Sequence, residues 1–235
     1  MTLGIMQPYF LPYLGYFSLI KHTDKWIIFD PVQYIRHGWI ERNRILKPAE
    51  GWQYIAIPLQ KHNRETLIKD IKIREEDWRT KILNQLAHYK KAPYYQSTIQ
   101  VLTEGFTIKT DSITLMNAHI LKCICQYLHI NFNYEVFSEM NLNIDPVKNA
   151  GDWALNISKA YGANTYINPP GGVDIFDKDA FKKSGIALKF LSINLTPYHQ
   201  HRKTFEPGLS IIDVMMFNSV DEINNMLDNY QIINA

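Results

Sequence analysis

The chain has 235 residues, of which 46% are hydrophobic and 20% charged, a mixture that excludes wholesale disorder. With 25 basic against 23 acidic side chains the net charge is +2, which excludes a general polyanion binder but leaves room for a local patch holding one phosphate group. The two cysteines, Cys123 and Cys125, stand one residue apart, so neither a disulfide framework nor a zinc knuckle fits, and a reducing compartment does.

The opening MTLGIMQPYF lacks the basic n-region of a signal peptide, and no run reaches the roughly 20 apolar residues of a membrane span. The expectation is a cytoplasmic protein without a transmembrane segment. Leu3 to Met6 is a first strand stopped by Gln7-Pro8. Tyr13, Tyr16, Phe17 and Ile20 keep helical spacing over Pro12 to Lys21, and Lys25 to Asp30 is a second strand. Strand, helix and strand at this spacing form a βαβ unit, so the fold class expected is α/β with a mostly parallel sheet flanked by helices.

Farther on, Gly51 to Leu59 reads as a buried strand and Ile68 to Ile73 as a more exposed one. Trp78 to Tyr89 has a helical period, and Ile113 to Tyr127 is the longest helix candidate. Phe132 to Phe137 reads as a strand. Met140 to Gly151, polar and holding Pro146, is a loop or a substructure boundary (140–151) within a single domain spanning 1–235. Asp152 to Ala160 carries a weak helix signal, followed by strands at Thr165 to Asn168 and Ala187 to Asn194. Ile211 to Phe217 and Ile223 to Leu227 are closing helices, which makes the C-terminal part more helical.

Four stretches carry chemistry. In the opening turn, backbone N–H groups near Leu14 and Gly15 would lie at a helix start that favours a phosphate, and Gln7 ends a strand with an amide that needs partners. The plain alternative is an aromatic turn packed on the core. Asp30, Gln33, Tyr34, Arg36, Trp39, Arg42, Asn43 and Arg44 form the second stretch and contain the densest positive cluster. Guanidinium forks there suit phosphates or carboxylates, and Asp30 ends a strand near the ligand-binding edge of an α/β sheet. A solvated basic turn is the alternative.

Asn168 with Gly171 and Gly172 is the third. The carboxamide matches sugar hydroxyls or a nucleobase, and the glycines allow close approach, although a purely structural turn fits as well. The fourth is His199 and His201, candidates for proton transfer, followed by Ser210 to Asp213, which reads as a capped helix start. No residue pattern supports a metal site.

The blocks IMQPYFLPYLGYFSLI, DPVQYIRHGWIERNRIL, YKKAPYY, TYINPPGG and FEPGLSIIDVMMFNS, spread over the whole chain, closely resemble the WbqC-like protein family. That resemblance implies a role in O-antigen and other surface-polysaccharide biosynthesis, with glycyl or other amino-acyl transfer to an amino sugar as the activity. The segment up to Tyr34 is also similar to the opening of pantothenate synthetase and related nucleotidylyltransferase-like enzymes, which implies a Rossmann-like topology. Tyr13-Leu-Gly-Tyr16 stands where those enzymes carry an HxGH signature, so both imidazoles of that ATP site are missing.

The combined expectation is a transferase acting on a nucleotide-linked amino sugar. Asp30, His199 and His201 are its catalytic candidates, and the arginines, amides and glycines named above bind substrate. An activated acyl or aminoacyl donor is implied, with an acyl or aminoacyl carrier as partner and ATP left open; nucleic acid is not expected. Homodimerisation fits the aromatic content. The rival reading is a non-catalytic sugar-nucleotide-binding or scaffold protein of the same pathway.

Overall fold

The computed structural model describes residues 1–234. The chain opens with β1 (Thr2–Met6), α1 (Leu14–Lys21) and β2 (Lys25–Ile28). A long excursion follows: the hairpin β3 (Arg42–Leu46) and β4 (Trp52–Ala56), then α2 (Trp78–Gln85), α3 (Tyr95–Gly105) and α4 (Ile113–Tyr127). The chain re-enters the sheet with β5 (Tyr134–Val136), α5 (Asp152–Tyr161), β6 (Thr165–Asn168), α6 (Lys178–Lys183) and β7 (Ala187–Ile193). It ends in α7 (Ile211–Phe217), α8 (Val220–Leu227) and β8 (Tyr230–Asn234).

Local chemistry sets many of the boundaries. Asp77, Ser112, Asp177 and Ser210 cap α2, α4, α6 and α7 by accepting N–H bonds of the first turn. Ser219 and Glu222 form a reciprocal capping box on α8. Gly162, with φ of 71°, closes α5 in the left-handed conformation that suits glycine.

The main sheet has six strands in the order β5-β2-β1-β6-β7-β8. All neighbours are parallel except β8, which pairs antiparallel with β7. Side chains alternate across it. Trp26 and Ile28 face the large core that holds α1, α3, α4, α7 and α8, whereas Leu3, Ile5 and Ile27 face a smaller core with Ala154 and Ile157 of α5 and Phe181 of α6. Thus the first crossover, through α1, lies on one face and the crossover through α5 on the other. The chain moves outward from β1 to β2 and β5, then returns past β1 to β6. The strand order therefore reverses between β1 and β6, and their C-terminal ends open the crevice where such sheets place ligands.

The α/β expectation holds, with corrections in detail. Gly51 to Leu59 is not a buried strand: within β4 only Ile55 is buried, because the hairpin lies outside the main sheet and shows one face to solvent. Ile68 to Ile73 is not an exposed strand. It begins with a 3₁₀ turn (Ile68–Asp70), and Ile68, Ile71 and Ile73 are all buried, since the segment packs beneath α4. The polar stretch 140–151 has no helix or strand, and its Met140, Leu142 and Ile144 pack against the smaller core. Among the described residues no helix is long and apolar enough to cross a membrane.

Gly4, in the centre of β1, is demanded by packing. A Cβ there would sit 2.6 Å from the indole of Trp26, which is fully enclosed and edge-on to Tyr16 at 5.2 Å. Gly4→Ala is therefore expected to destabilise the protein by about 1–3 kcal/mol through overpacking, read as a lower urea midpoint at unchanged m-value.

Candidate functional site

The turn after β1 is the foundation of the site. Two prolines remove its N–H groups at residues 8 and 12, and Leu11 is held at φ of 45°, a left-handed conformation costly for a side chain of this kind. Its carbonyls point inward and are met from distant parts of the chain. Asn117 of α4 donates to the carbonyls of Pro8 and Ile40, both at 2.8 Å, and Asn43 of β3 donates to Phe10 at 3.0 Å. The cap residue Ser210 donates to Leu11 at 2.8 Å, while the Ile211 N–H reaches Pro12 at 2.9 Å. Phe10 in turn donates its N–H to Trp39 at 2.8 Å. Phe10 and Leu11 are thereby sealed in the core, and Tyr9 and Tyr13 are left facing outward. The Tyr13 ring folds back over the first turn of α1, lying 2.4 Å from where a Cβ of Gly15 would stand. The helix start expected to hold a phosphate is thus covered by a phenol.

A continuous cleft runs along these tyrosines over the C-terminal ends of β1 and β6. It has three chambers of about 270, 350 and 410 Å³, and Tyr9 lines all of them. Tyr13 and Trp39 join the first chamber to the second; Met6, Asn168 and Ile175 join the second to the third. The first holds Asn43 and Arg44, the second Asn168, Gly171 and Gly172, and the third Gln7 and Gln33 beside Phe29, Trp153 and Phe176. No carboxylate, imidazole or thiol lines any of them among the described residues. Burial pushes the phenols of Tyr9 and Tyr13 above their ordinary range, and at Tyr9 the neighbouring Tyr13 adds to the rise, so both remain neutral donors.

Asn168 is rigidly placed. Its Oδ1 accepts from the Tyr166 hydroxyl at 2.9 Å, and its Nδ2 donates to the Pro169 carbonyl at 3.2 Å. A Cβ on Gly172 would lie 2.2 Å from Nδ2, so glycine is required for the carboxamide to sit there, whereas a Cβ on Gly171 would meet nothing within 4 Å. One N–H and one lone pair of Asn168 stay free for a ligand. Arg44 donates to the Gly208 carbonyl at 3.0 Å and, among the described residues, has no ion-pair partner.

The other residues named from sequence lie elsewhere. Asp30 is 1% exposed and accepts from the Ser138 N–H at 3.1 Å and its hydroxyl at 2.7 Å, tying the end of β2 to the segment after β5. Burial raises its pKa, and the Ser138 donors oppose the rise. Tyr34 is buried, Arg36 is exposed and donates to the His62 carbonyl at 3.3 Å, and Arg42 lies 4.0 Å over the Tyr54 ring. His199 and His201 are exposed, with ring centroids 5.0 Å apart, and His201 rests on Phe217 at 5.2 Å. None of Asp30, Tyr34, Arg36, Arg42, His199 and His201 lines the cleft. Eight of the named residues share the cleft: Gln7, Gln33, Trp39, Asn43, Arg44, Asn168, Gly171 and Gly172.

The histidine loop hangs on a polar hub that sequence reading reduced to a helix cap. Asp213, 0% exposed, accepts from Tyr89 at 2.7 Å, Tyr198 at 2.5 Å and Gln200 at 2.7 Å. Gln200 also bonds the Glu206 backbone at both ends of its amide, and the Tyr89 hydroxyl accepts from the Leu46 N–H at 2.9 Å. Burial raises the Asp213 pKa, and the three donors only partly offset this. A raised pKa in the folded state means a stability contribution present in acid and lost as pH climbs through the folded value. Asp213→Asn abolishes that titration. Its stability relative to wild type is expected to rise as pH increases from about 4 towards neutrality, read from paired urea titrations across that range.

One family model spans nearly the entire chain. The model of the WbqC-like protein family matches residues 7–225. An uncharacterized protein of Mycobacterium tuberculosis is 29% identical over 230 residues, covering 92% of each chain. No solved structure matches the chain. The matched span includes the turn after β1, the hairpin, the Asn168 turn and α7, so the elements that build the cleft all fall inside it: the chain belongs to the WbqC-like protein family.

Proposed function

We propose that this protein is a cytoplasmic transferase of surface-polysaccharide biosynthesis that binds a nucleotide-linked amino sugar in the cleft and places an acyl or amino-acyl group on the sugar amine. The observation that carries this reading is the cleft at the strand-order reversal, which joins aromatic walls, neutral amides and one unpaired guanidinium. Aromatic faces and the free N–H and lone pair of Asn168 suit a pyranose, with Gly171 leaving room for its ring. Arg44 suits the phosphates.

The chemistry follows from what the cleft contains. An amine attacks an activated acyl carbon only as the free base. A cleft with a cation and no carboxylate disfavours the ammonium form, so the amine is held neutral without a dedicated base. Its nitrogen then forms the C–N bond as the bond to the leaving group breaks, and the nitrogen proton departs with the leaving group or to water. The neutral phenols of Tyr9 and Tyr13 line the cleft, and in this reading they donate to the oxyanion that develops. Asp30, His199 and His201 do not touch the reacting atoms in this reading. The donor is an activated acyl or aminoacyl group delivered by a carrier.

A second reading, a sugar-nucleotide-binding scaffold of the same pathway, is favoured by one fact: among the described residues no carboxylate, imidazole or thiol lines the cleft. Calorimetric titration with nucleotide-linked amino sugars, followed by incubation with acyl and aminoacyl thioesters, separates the two. Arg44→Ala and Asn168→Ala are each expected to weaken binding about tenfold, equal to roughly 1.4 kcal/mol, whereas Tyr9→Phe is expected to bind normally and turn over more slowly. Binding without product for every thioester would select the scaffold. No binding of any amino-sugar nucleotide would remove both readings.

A further inference from the structure

Outside the cleft the hairpin carries a surface that folding alone does not require. Its inner face contributes Ile45 and Ile55 to the core, both 0% exposed. Its outer face shows Trp52 at 36% and Tyr54 at 37% exposure, beside Trp39 at 38%. Arg42 and Arg44 stand among these rings. In the antiparallel register Arg44 lies opposite Tyr54 and Leu46 opposite Trp52. The Arg42 guanidinium is 4.0 Å over Tyr54; that of Arg44 is 5.2 Å from Trp52 and 5.6 Å from Trp39. Trp52 and Tyr54 meet edge-on at 5.1 Å.

Neither arginine forms an ion pair among the described residues, and the Nε of each is buried without a hydrogen-bond partner. Exposed aromatic faces interleaved with uncompensated cations fit a ligand that is both planar and anionic. These two guanidiniums stand over the rings and Arg202 adds a third at the hairpin turn, where it donates to the Gly51 and Lys47 carbonyls; a cluster this small suits one nucleotide rather than a tracked strand.

We propose that this outer face is the nucleobase subsite, with the base stacked on Trp52 and Trp39 and the diphosphate passing Arg44 into the cleft. The proposal rests on the sugar-nucleotide reading and gives its ligand a direction. Trp39 and Arg44 belong to both the platform and the first chamber, and Trp39 also borders the chamber of Asn168. Platform, guanidinium and carboxamide are thus linked through the shared Trp39, and the proposal assigns them to base, diphosphate and sugar. The ring face does not choose among bases, so the nucleotide is selected here as a class.

The test is calorimetric titration of the full chain with uridine, thymidine, adenosine and guanosine diphosphates, inorganic pyrophosphate and a single-stranded oligouridylate. Wild type is expected to bind at least one nucleoside diphosphate more tightly than pyrophosphate. Trp52→Ala is expected to weaken that nucleotide about five- to a hundredfold and leave pyrophosphate unchanged, with Trp52→Phe recovering most of the loss. Arg44→Ala weakens both ligands. Trp52 is at the surface, and an unchanged thermal midpoint for Trp52→Ala certifies the fold.

Nucleoside diphosphates bound no better than pyrophosphate, or bound equally by Trp52→Ala, would overturn the subsite. So would an oligouridylate that outcompetes every mononucleotide. If Trp52→Ala were silent while Asn168→Ala still weakened an amino-sugar nucleotide, the cleft reading would survive and the platform alone would fail. A Trp52-dependent nucleotide that no attached sugar strengthens would leave the platform and remove the sugar.

Discussion

The structure depends on satisfying the carbonyls of a turn that cannot satisfy itself. Between Met6 and Leu14 the chain must leave the centre of a parallel sheet and start a helix across a few buried positions. Prolines at 8 and 12 supply no N–H groups, and the left-handed Leu11 prevents a regular turn. An unpaired buried carbonyl costs on the order of 1–3 kcal/mol, so several left open would consume much of a domain's net stability. Asn117, Asn43 and Ser210 close them from α4, β3 and the cap of α7. Elements separated by as much as 199 positions in the sequence are thereby tied to the end of β1. The long excursion between β2 and β5 is part of the same solution, because it brings α4 and the hairpin to the turn.

The same constraint sets the electrostatic character of the cleft. Buried donors reach the turn from its inner side, so the outward side is left to Tyr9 and Tyr13. Burial keeps these phenols neutral. Two buried carboxylates are drawn into structural bonds, Asp30 with Ser138 and Asp213 with Tyr89, Tyr198 and Gln200. What remains at the strand-order reversal is a neutral, aromatic channel with a single positive end. Such a channel favours a neutral polar group inside and an anion at its mouth, which is the charge distribution of a sugar attached through phosphates.

Much of this was legible in the sequence, and the gaps have physical causes. The βαβ opening, α4, β6 and α7 have periodicity strong enough to be read, because each buries a defined face. Arg42 to Leu46 is β3, which the sequence reading does not assign as a strand while it takes the arginines for a binding cluster; its outer positions are charged, and its apolar partner face lies on residues that sequence alone does not pair. Ile68 to Ile73 alternates like a strand, but all three isoleucines turn inward through a 3₁₀ turn, where the period of two loses its meaning. α3, α6 and β8 were not identified, the last because an antiparallel edge strand of five residues with an exposed surface leaves little pattern. In the site, the amides at strand ends and the Asn168 turn were found from residue chemistry. Tyr9 and Tyr13 were passed over, since an aromatic run looks the same whether it packs inward or lines a cleft.

Hydrogen-bond capacity separates the two kinds of polar residue that sequence chemistry groups together. Asp30, Asn43, Asn117, Ser210 and Asp213 all bond within the chain; the last four join segments that have no ladder between them, and Asp30 extends the β2–β5 pairing beyond its last rung. Their loss would be felt as folding energy. Gln7 makes no side-chain hydrogen bond among the described residues, Gln33 uses only its Nε2, and Asn168 keeps one donor and one acceptor in reserve. These three, with the unpaired Arg44, all line the same cleft. A folded chain has little reason to place unused polar capacity beside aromatic rings at the reversal point of its sheet unless that capacity is completed by something else. The ligand proposed above would complete what the protein leaves unsatisfied: an acceptor for carboxamide N–H groups, a donor for their oxygens, and an anion for the guanidinium.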